Sequence, residues 1–191
     1  MNDERSIIEV YRRSGVDNGA EAVRHWACGF KPGAEVLEIG FERGAIPQLL
    51  IDAGLRLYLV ENSLTRLSKF KELFPEVPSE SSNAKGGMFH SRTFDGVIVC
   101  SMKRHMSKPL ELERLARIEC ALRTGGKLLL VFPPQSSMSV DFRTEGWSSP
   151  ASVAYEAMLR KRGLEVQSDL KDQSGNEYVC AAKHVQAGVP D

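Results

Sequence analysis

Residues 34–44 read AEVLEIGFERG and contain the clearest strand-turn-helix pattern of the chain. It begins as an apolar run of strand length that ends at Gly40, and a helix-forming segment at 44–54 follows directly. A glycine between a strand and a helix lets the backbone approach a ligand closely, and the first turn of the helix presents unpaired N–H groups. The stretch therefore predicts the first strand of an open α/β sheet, with a ligand crevice at its carboxyl end.

Apolar runs of strand length alternate with amphipathic helical segments along the rest of the chain. Continuous apolar runs are typical of parallel strands that are buried on both faces of a sheet. The last two strands have no crossover helix between them, so we expect them to pair antiparallel. We predict an α/β fold: a Rossmann-like, seven-stranded, mostly parallel sheet with helices on both faces and an antiparallel last strand. The predicted strands cover 34–40, 56–61, a short segment near 77–81, 94–100, 127–133, 164–170 and 177–185, and the predicted helices cover 5–14, 19–30, 44–54, 63–74, 109–122 and 150–162.

The composition narrows the classes of function. Lys and Arg total 25 and so do Asp and Glu, and this zero net charge argues against the basic surface of a nucleic-acid-binding protein. Four cysteines without a C-x-x-C pair argue against a metal site or a disulfide framework, and we expect all four to be reduced, small apolar core residues. No segment resembles a signal peptide, and no run approaches the roughly 18 apolar residues of a membrane span. We therefore expect a cytoplasmic protein that does not bind a membrane.

An acid at the end of the second predicted strand points to a nucleoside. Glu61 follows Gly40 by 21 residues, and an acid in this place can accept both hydroxyls of a ribose. Dinucleotide-binding folds need a second glycine in the turn, because a pyrophosphate lies on the helix N-terminus. Glu42 stands in that position and would repel a pyrophosphate. S-adenosylmethionine carries a sulfonium and an ammonium instead, and acidic side chains such as Glu38 and Glu42 are compatible with it.

These stretches together resemble the class I S-adenosylmethionine-dependent methyltransferases. VLEIGFERG at 36–44 looks like their first motif, an acid followed by G-x-G-x-G, and LYLVENS at 57–63 looks like their second. Residues 81–99 resemble the stretch that carries an Asp-Ala pair ahead of a Phe-Asp strand. ALRTGGKLLLVFPP at 121–134 looks like the fifth-strand motif of the family. The resemblance covers roughly residues 30–184.

The resemblance implies S-adenosylmethionine as cofactor and methyl transfer to a small-molecule acceptor. Asn83 takes the family's Asp position and would meet the adenine amino group, and Ala84 would offer its backbone N–H to the ring. His105 follows the fourth strand near the expected methyl group, and it is the predicted general base because imidazole titrates near neutral pH. The predicted cofactor-binding residues are Glu38, Gly40, Phe41, Gly44, Glu61, Asn62, Asn83, Ala84 and Cys100, and the predicted substrate-side residues are Tyr11 and Trp147.

We expect the two N-terminal helices to act as a lid on the part of the chain that carries the resemblance. Residues 1–30 are predicted to form an N-terminal helical lid segment, in which Tyr11 and Trp26 have core or lid packing roles, and 31–185 to form a single methyltransferase-like domain. Two alternatives stay open. The departures at Glu42 and Asn83 are compatible with a degenerate member of the fold that binds a ligand or a partner without turnover. A cofactor-using enzyme that does not methylate is the other alternative, and the sequence gives no indication of oligomeric state.

Overall fold

The computed structural model describes residues 17–41, 45–82, 91–100, 108–132, 151–171 and 177–183. The helices in this part of the chain are α1 (Asp17–Ala27), α2 (Ala45–Asp52), α3 (Leu64–Leu73), α4 (Lys108–Ala121) and α5 (Ala151–Arg160). The strands are β1 (Glu35–Ile39), β2 (Arg56–Glu61), β3 (Ser79–Ser81), β4 (Phe94–Val99), β5 (Leu122–Phe132), β6 (Leu164–Lys171) and β7 (Glu177–Lys183). The predicted elements are therefore present within a few residues of their expected bounds, apart from the helix at 5–14, which lies outside the described residues.

The seven strands form one sheet in the order β3-β2-β1-β4-β5-β7-β6. Strands β1 to β5 are parallel, whereas β7 runs antiparallel to both of its neighbours, β5 and β6. The prediction of a mostly parallel seven-stranded sheet with an antiparallel last strand is confirmed. At the centre of the sheet, Ile39 of β1 pairs with Val60 of β2 and with Val99 of β4, so these three strands end at the same edge.

Helices cover both faces of the sheet, as the continuous apolar strands predicted. Neighbouring β1 residues point in opposite directions: Val36 belongs to one apolar core and Leu37 to the other. The core on the first face contains residues of α1, α2 and α3, namely Val23, Trp26, Leu50, Leu67 and Phe70. The core on the second face contains residues of α4 and α5, namely Leu115, Ile118, Tyr155 and Leu159.

Helix α1 packs directly on the sheet above Gly96 of β4. The rings of Trp26 and Phe30 meet edge to face with centroids 4.7 Å apart. A Cβ atom on Gly96 would lie 2.7 Å from Cζ of Phe30 and 2.9 Å from Cη2 of Trp26, so this aromatic pair needs a glycine beneath it. Trp26 therefore has the core packing role, and the lid function of residues 1–30 stays a prediction because Tyr11 lies outside the described residues.

Strand β5 begins earlier than its apolar run at 127–133 indicates. Phe94 pairs with Leu122, and the register shifts before Gly96 pairs with Lys127. Helix α4 ends at Ala121, one residue before its predicted end, and residues 124–126 form an irregular part of β5, where a Cβ on Gly126 would lie 2.8 Å from the Arg123 carbonyl oxygen. The glycines permit a tight backbone approach inside a strand, and the sequence pattern does not distinguish this from a helix end.

Three further predictions concern the cysteines, membranes and metals. None of the four cysteines forms a disulfide. Cys28 and Cys120 are exposed and only Cys100 is buried, so the expectation that all four are core residues is wrong. None of the described helices is long and apolar enough to cross a membrane. Within the described ranges, no three His, Cys, Asp or Glu side chains are grouped so that they could hold a metal ion.

We expect Gly96→Ala to destabilise the protein by about 1–3 kcal/mol, because an added methyl group overpacks the contact with Trp26 and Phe30. Urea unfolding followed by circular dichroism measures the change. Combining Gly96→Ala with Phe30→Leu is expected to recover part of the loss, because the smaller side chain vacates the position nearest the new Cβ atom. Strictly additive effects of the two substitutions would contradict this packing.

Candidate functional site

The carboxyl ends of β2, β1 and β4 meet at one edge of the sheet. The Gly40 N–H donates to the Val60 carbonyl oxygen at 2.8 Å, and the Cys100 N–H donates to the Ile39 carbonyl oxygen at 3.0 Å. The first bond extends the ladder between β1 and β2 to the residue after β1, and the second extends the ladder between β1 and β4 to the residue after β4. In parallel α/β sheets this edge, at the point where the strand order reverses, is where ligands bind.

Gly40 is required at this edge for two reasons. Its φ of +89° is in the left-handed region, which favours glycine. A Cβ atom there would also lie 3.1 Å from the carbonyl oxygen of Cys100. The chain can therefore turn sharply out of β1, and the neighbouring strands come close to the turn.

Glu61 ends β2 with its side chain directed toward the residue that follows Gly40. Its Oε2 accepts a hydrogen bond from the Phe41 N–H at 2.6 Å. Its Oε1 accepts one from the Ser63 N–H at 2.7 Å and one from Nη2 of Arg66 at 2.9 Å. Only 1% of the residue is exposed, so these three donors take the place of water around the carboxylate.

The donors keep Glu61 ionised despite its burial. Burial alone would raise the pKa of this carboxyl, but the hydrogen bonds from Ser63, Phe41 and Arg66 outweigh it and hold the pKa below its ordinary value. Hydrogen bonds to the charged form of an acid favour that form. Glu61 is therefore a carboxylate at neutral pH.

Glu38 has the opposite charge state. It lies within β1 and is completely buried; a weak contact from Sγ of Cys100 reaches Oε1 at 3.7 Å, and Oε2 has no partner among the described residues. Burial raises the pKa of Glu38 to about 8, the Cys100 thiol offsets this only in part, and the charge of Glu61 adds to the rise. Glu38 is therefore mostly protonated at neutral pH, beside a carboxylate that is not.

The opposite edge of the sheet carries a polar network that has a structural role. Glu35, at the start of β1, accepts hydrogen bonds from Tyr58 Oη and Arg123 Nη2, and Arg123 also pairs with Asp95 at 2.7 Å. Burial alone would raise the pKa of Glu35, but the hydrogen bonds from Arg123, Arg92 and Tyr58 lower it. A cleft of about 420 Å³ opens beside Arg123 and Asp95, whose charges are already paired with each other. This network ties the beginnings of β1, β4 and β5 together.

The structure brings together those predicted cofactor-binding residues that it describes. They are Glu38, Gly40, Phe41, Glu61, Asn62 and Cys100, which lie at or next to the ends of β1, β2 and β4. The remaining predicted site residues lie outside the described residues: Tyr11, Gly44, Asn83, Ala84, His105 and Trp147.

Arg66 was not among the predicted site residues, although it completes the surroundings of Glu61. Its Nη2 also donates to Oδ1 of Asn62 at 3.1 Å. The sequence feature that could have indicated this contact is the position of Arg66 in the first turn of α3, whose N-cap Ser63 is two residues from Glu61. A long basic side chain in that turn can fold back onto an acid at the end of the preceding strand.

Comparison with known proteins identifies the fold. No family model matches the sequence, and no curated protein matches it. Among solved structures, 1,6-didemethyltoxoflavin-N1-methyltransferase of Burkholderia thailandensis, with bound 1,6-didemethyltoxoflavin and S-adenosylhomocysteine, has a TM-score of 0.66 at 18% identity, over 92% of this chain and 81% of that one. A TehB-like SAM-dependent methyltransferase from Corynebacterium glutamicum has a TM-score of 0.64 at 16% identity, over 95% of this chain and all of the other.

A third similar structure is magnesium protoporphyrin IX methyltransferase from Synechocystis with bound SAM, where SAM denotes S-adenosylmethionine. Its TM-score is 0.65 at 14% identity, over 96% of this chain and 86% of that one. The three superpositions include nearly the whole chain, and identities this low establish the architecture alone. The protein has the fold of the class I SAM-dependent methyltransferases, as the sequence resemblance predicted.

The buried Glu38 predicts a distinctive pH dependence of stability. The pKa of Glu38 in the folded protein is about 8, above the ordinary value of 4.5. Its contribution to the free energy of unfolding is therefore fully present below about pH 4.5 and is lost as the pH rises through about 8. We expect the free energy of unfolding of the wild type to fall by a few kcal/mol relative to Glu38→Gln over this interval. Urea unfolding at a series of pH values gives the difference.

Glu61→Gln is the matched control for this experiment. The pKa of Glu61 is lowered, so its stabilisation is present above the ordinary pKa and is lost as the pH falls through the folded value. The difference between wild type and Glu61→Gln should therefore shrink toward low pH, opposite to the trend for Glu38→Gln. A difference between wild type and Glu38→Gln that does not change with pH would contradict the assignment of Glu38 as a protonated acid.

Proposed function

We propose that this protein binds S-adenosylmethionine at the carboxyl edge of β1 and β2, and transfers its methyl group to a small-molecule acceptor. The proposal rests on two buried acids near Gly40: Glu38 within β1 and Glu61 at the end of β2. Glu61 is an ionised carboxylate beside the turn, and Glu38 has a buried oxygen without a partner among the described residues. Together they favour a ligand that combines a sugar with positive charge.

The hydrogen-bonding capacity of the two acids fits an adenosyl ligand. A carboxylate has about four acceptor positions, and the bonds that the described residues make to Glu61 leave one of them open, on Oε2. A ribose hydroxyl can donate to that position. A cation near Glu38 would favour the charged form of this acid and would interact with its buried oxygen. A pyrophosphate would instead lie beside two acidic side chains, and its negative charge would be repelled.

When bound, S-adenosylmethionine supplies a methyl group that its sulfonium makes electrophilic. The chain has to hold the donor and the acceptor in line and keep water out, which is a large part of catalysis for reactions of this kind. Gly40 admits the ligand close to the backbone, and Cys100 borders the site at the end of β4. His105 is the proposed base for acceptors that must lose a proton. The proposal also assigns Gly44, Phe41, Asn62, Asn83 and Ala84 to the cofactor, and Tyr11 and Trp147 to the acceptor.

Two observations support a small molecule as the acceptor. The similar methyltransferases with named substrates act on 1,6-didemethyltoxoflavin and on magnesium protoporphyrin IX, both of which are small molecules. The chain has as many acidic as basic residues, so it lacks the excess of basic residues that is typical of nucleic-acid-binding proteins. We therefore propose a small-molecule acceptor.

Calorimetric titration with S-adenosylmethionine and S-adenosylhomocysteine tests the binding step. We expect one site per chain, with a dissociation constant between about 1 μM and 1 mM, the range typical of enzyme substrates. Glu61→Gln is expected to weaken binding by roughly 10- to 100-fold, because a hydrogen bond to a charged acceptor contributes about 1.5–3 kcal/mol. Incubation with methyl-labelled S-adenosylmethionine and a panel of heterocyclic amines and phenols should yield S-adenosylhomocysteine together with a labelled product.

The exposed Glu72→Gln on α3, which breaks only a surface pair with Lys69, is the control and should leave binding unchanged. Circular dichroism of each variant separates lost binding from lost folding. Absence of binding of either ligand by the folded wild type at millimolar concentration would contradict the proposal. Binding without any labelled product would favour the degenerate alternative, and a cofactor-derived product without methyl transfer would favour the non-methylating enzyme.

A further inference from the structure

The Glu61 carboxylate cannot accept two ribose hydroxyls in the arrangement that the structure describes. Both acceptor positions on Oε1 are filled, one by the Ser63 N–H and the other by Nη2 of Arg66. Oε2 is bonded to the Phe41 N–H and retains one position. A ribose with two free hydroxyls therefore finds only one acceptor on this carboxylate.

Of the three donors to Glu61, only the Arg66 side chain can leave without moving the backbone. The Phe41 N–H belongs to the turn after Gly40, and the Ser63 N–H belongs to the entry into α3. The Arg66 side chain is half exposed and bridges Glu61 and Asn62, so water can solvate its guanidinium after it moves. A ribose hydroxyl is itself a donor, so the buried Glu61 oxygen keeps a hydrogen bond when the hydroxyl takes the place of the guanidinium.

We propose that Arg66 competes with one ribose hydroxyl for Oε1 of Glu61, and so sets the affinity of the site for adenosyl ligands. This inference rests on the proposed function. Arg66 is a positioning residue, because it acts through the carboxylate and not on the reacting atoms. With Arg66 in place the ribose is held through one hydroxyl, and with Arg66 displaced it is held through both.

The test compares wild type with Arg66→Met, which keeps the aliphatic part of the side chain and removes its donors. The probes are S-adenosylhomocysteine and its 2′-deoxy and 3′-deoxy analogues, titrated calorimetrically. We expect Arg66→Met to bind S-adenosylhomocysteine about 3- to 10-fold more tightly, because the freed position accepts the second hydroxyl. One of the two deoxy analogues should bind the wild type nearly as tightly as the parent ligand, and it should lose the whole gain in Arg66→Met.

Two further variants separate competition from a general structural effect. Arg66→Lys keeps a donor of the same charge and should return the affinity toward that of the wild type. Arg117→Met removes a guanidinium from an exposed i,i+4 pair with Glu113 on α4, and it should change neither affinity nor the ratio between the deoxy analogues. A merely structural role of Arg66 would change the affinity for all three probes by the same factor.

Each outcome decides the inference. Tighter binding that depends on one hydroxyl supports it. If the wild type binds S-adenosylhomocysteine and Arg66→Met binds it equally or more weakly, the competition is wrong while the proposed function stands. If folded wild type and folded Arg66→Met both bind no probe at millimolar concentration, the proposed function and this inference fail together.

Discussion

Strand β1 lies between β2 and β4, and this position determines where the residues of the candidate site meet. Its two parallel ladders align Ile39 with Val60 on one side and with Val99 on the other, and each continues for one more backbone hydrogen bond. The residues after these strands consequently meet at one point. The Phe41 N–H then reaches the Glu61 carboxylate, and this bond between the ends of β1 and β2 requires the left-handed turn at Gly40.

The same geometry explains why two neighbouring acids have opposite charge states. Both are buried on the face that α1, α2 and α3 cover, so desolvation opposes the charge on each. Glu61 is the last residue of β2 and lies beyond the pairing of β2 with β1, where the Phe41 and Ser63 N–H groups can donate to its carboxylate. Glu38 lies inside β1, where the backbone N–H groups already belong to the ladders, and among the described residues only the Cys100 thiol donates to it. Position relative to the strand end therefore decides which acid is ionised, because it decides which donors can reach it.

Much of this could be predicted from the sequence, because it depends on patterns that are local. The apolar runs gave the strands and the sheet class, and the spacing between Gly40 and Glu61 indicated that they meet at one edge. The irregular part of β5 at Thr124–Gly126 was not predictable, because glycines permit a helix end and a close backbone approach equally. Arg66 was missed for a related reason: its contact with Glu61 depends on the angle at which α3 leaves β2, and no motif encodes that angle.

The charges around the turn bear on the choice between the two cofactor classes that share this architecture. A dinucleotide site needs unopposed backbone N–H groups for its phosphates, and here the Phe41 N–H already donates to a carboxylate. The nearest described guanidinium, on Arg66, is likewise paired with Glu61. An incoming pyrophosphate would have to break these bonds and would leave an unpaired carboxylate beside itself. A cationic nucleoside needs no such exchange with the backbone, because the ionised Glu61 attracts it and the protonated Glu38 can lose its proton on its arrival.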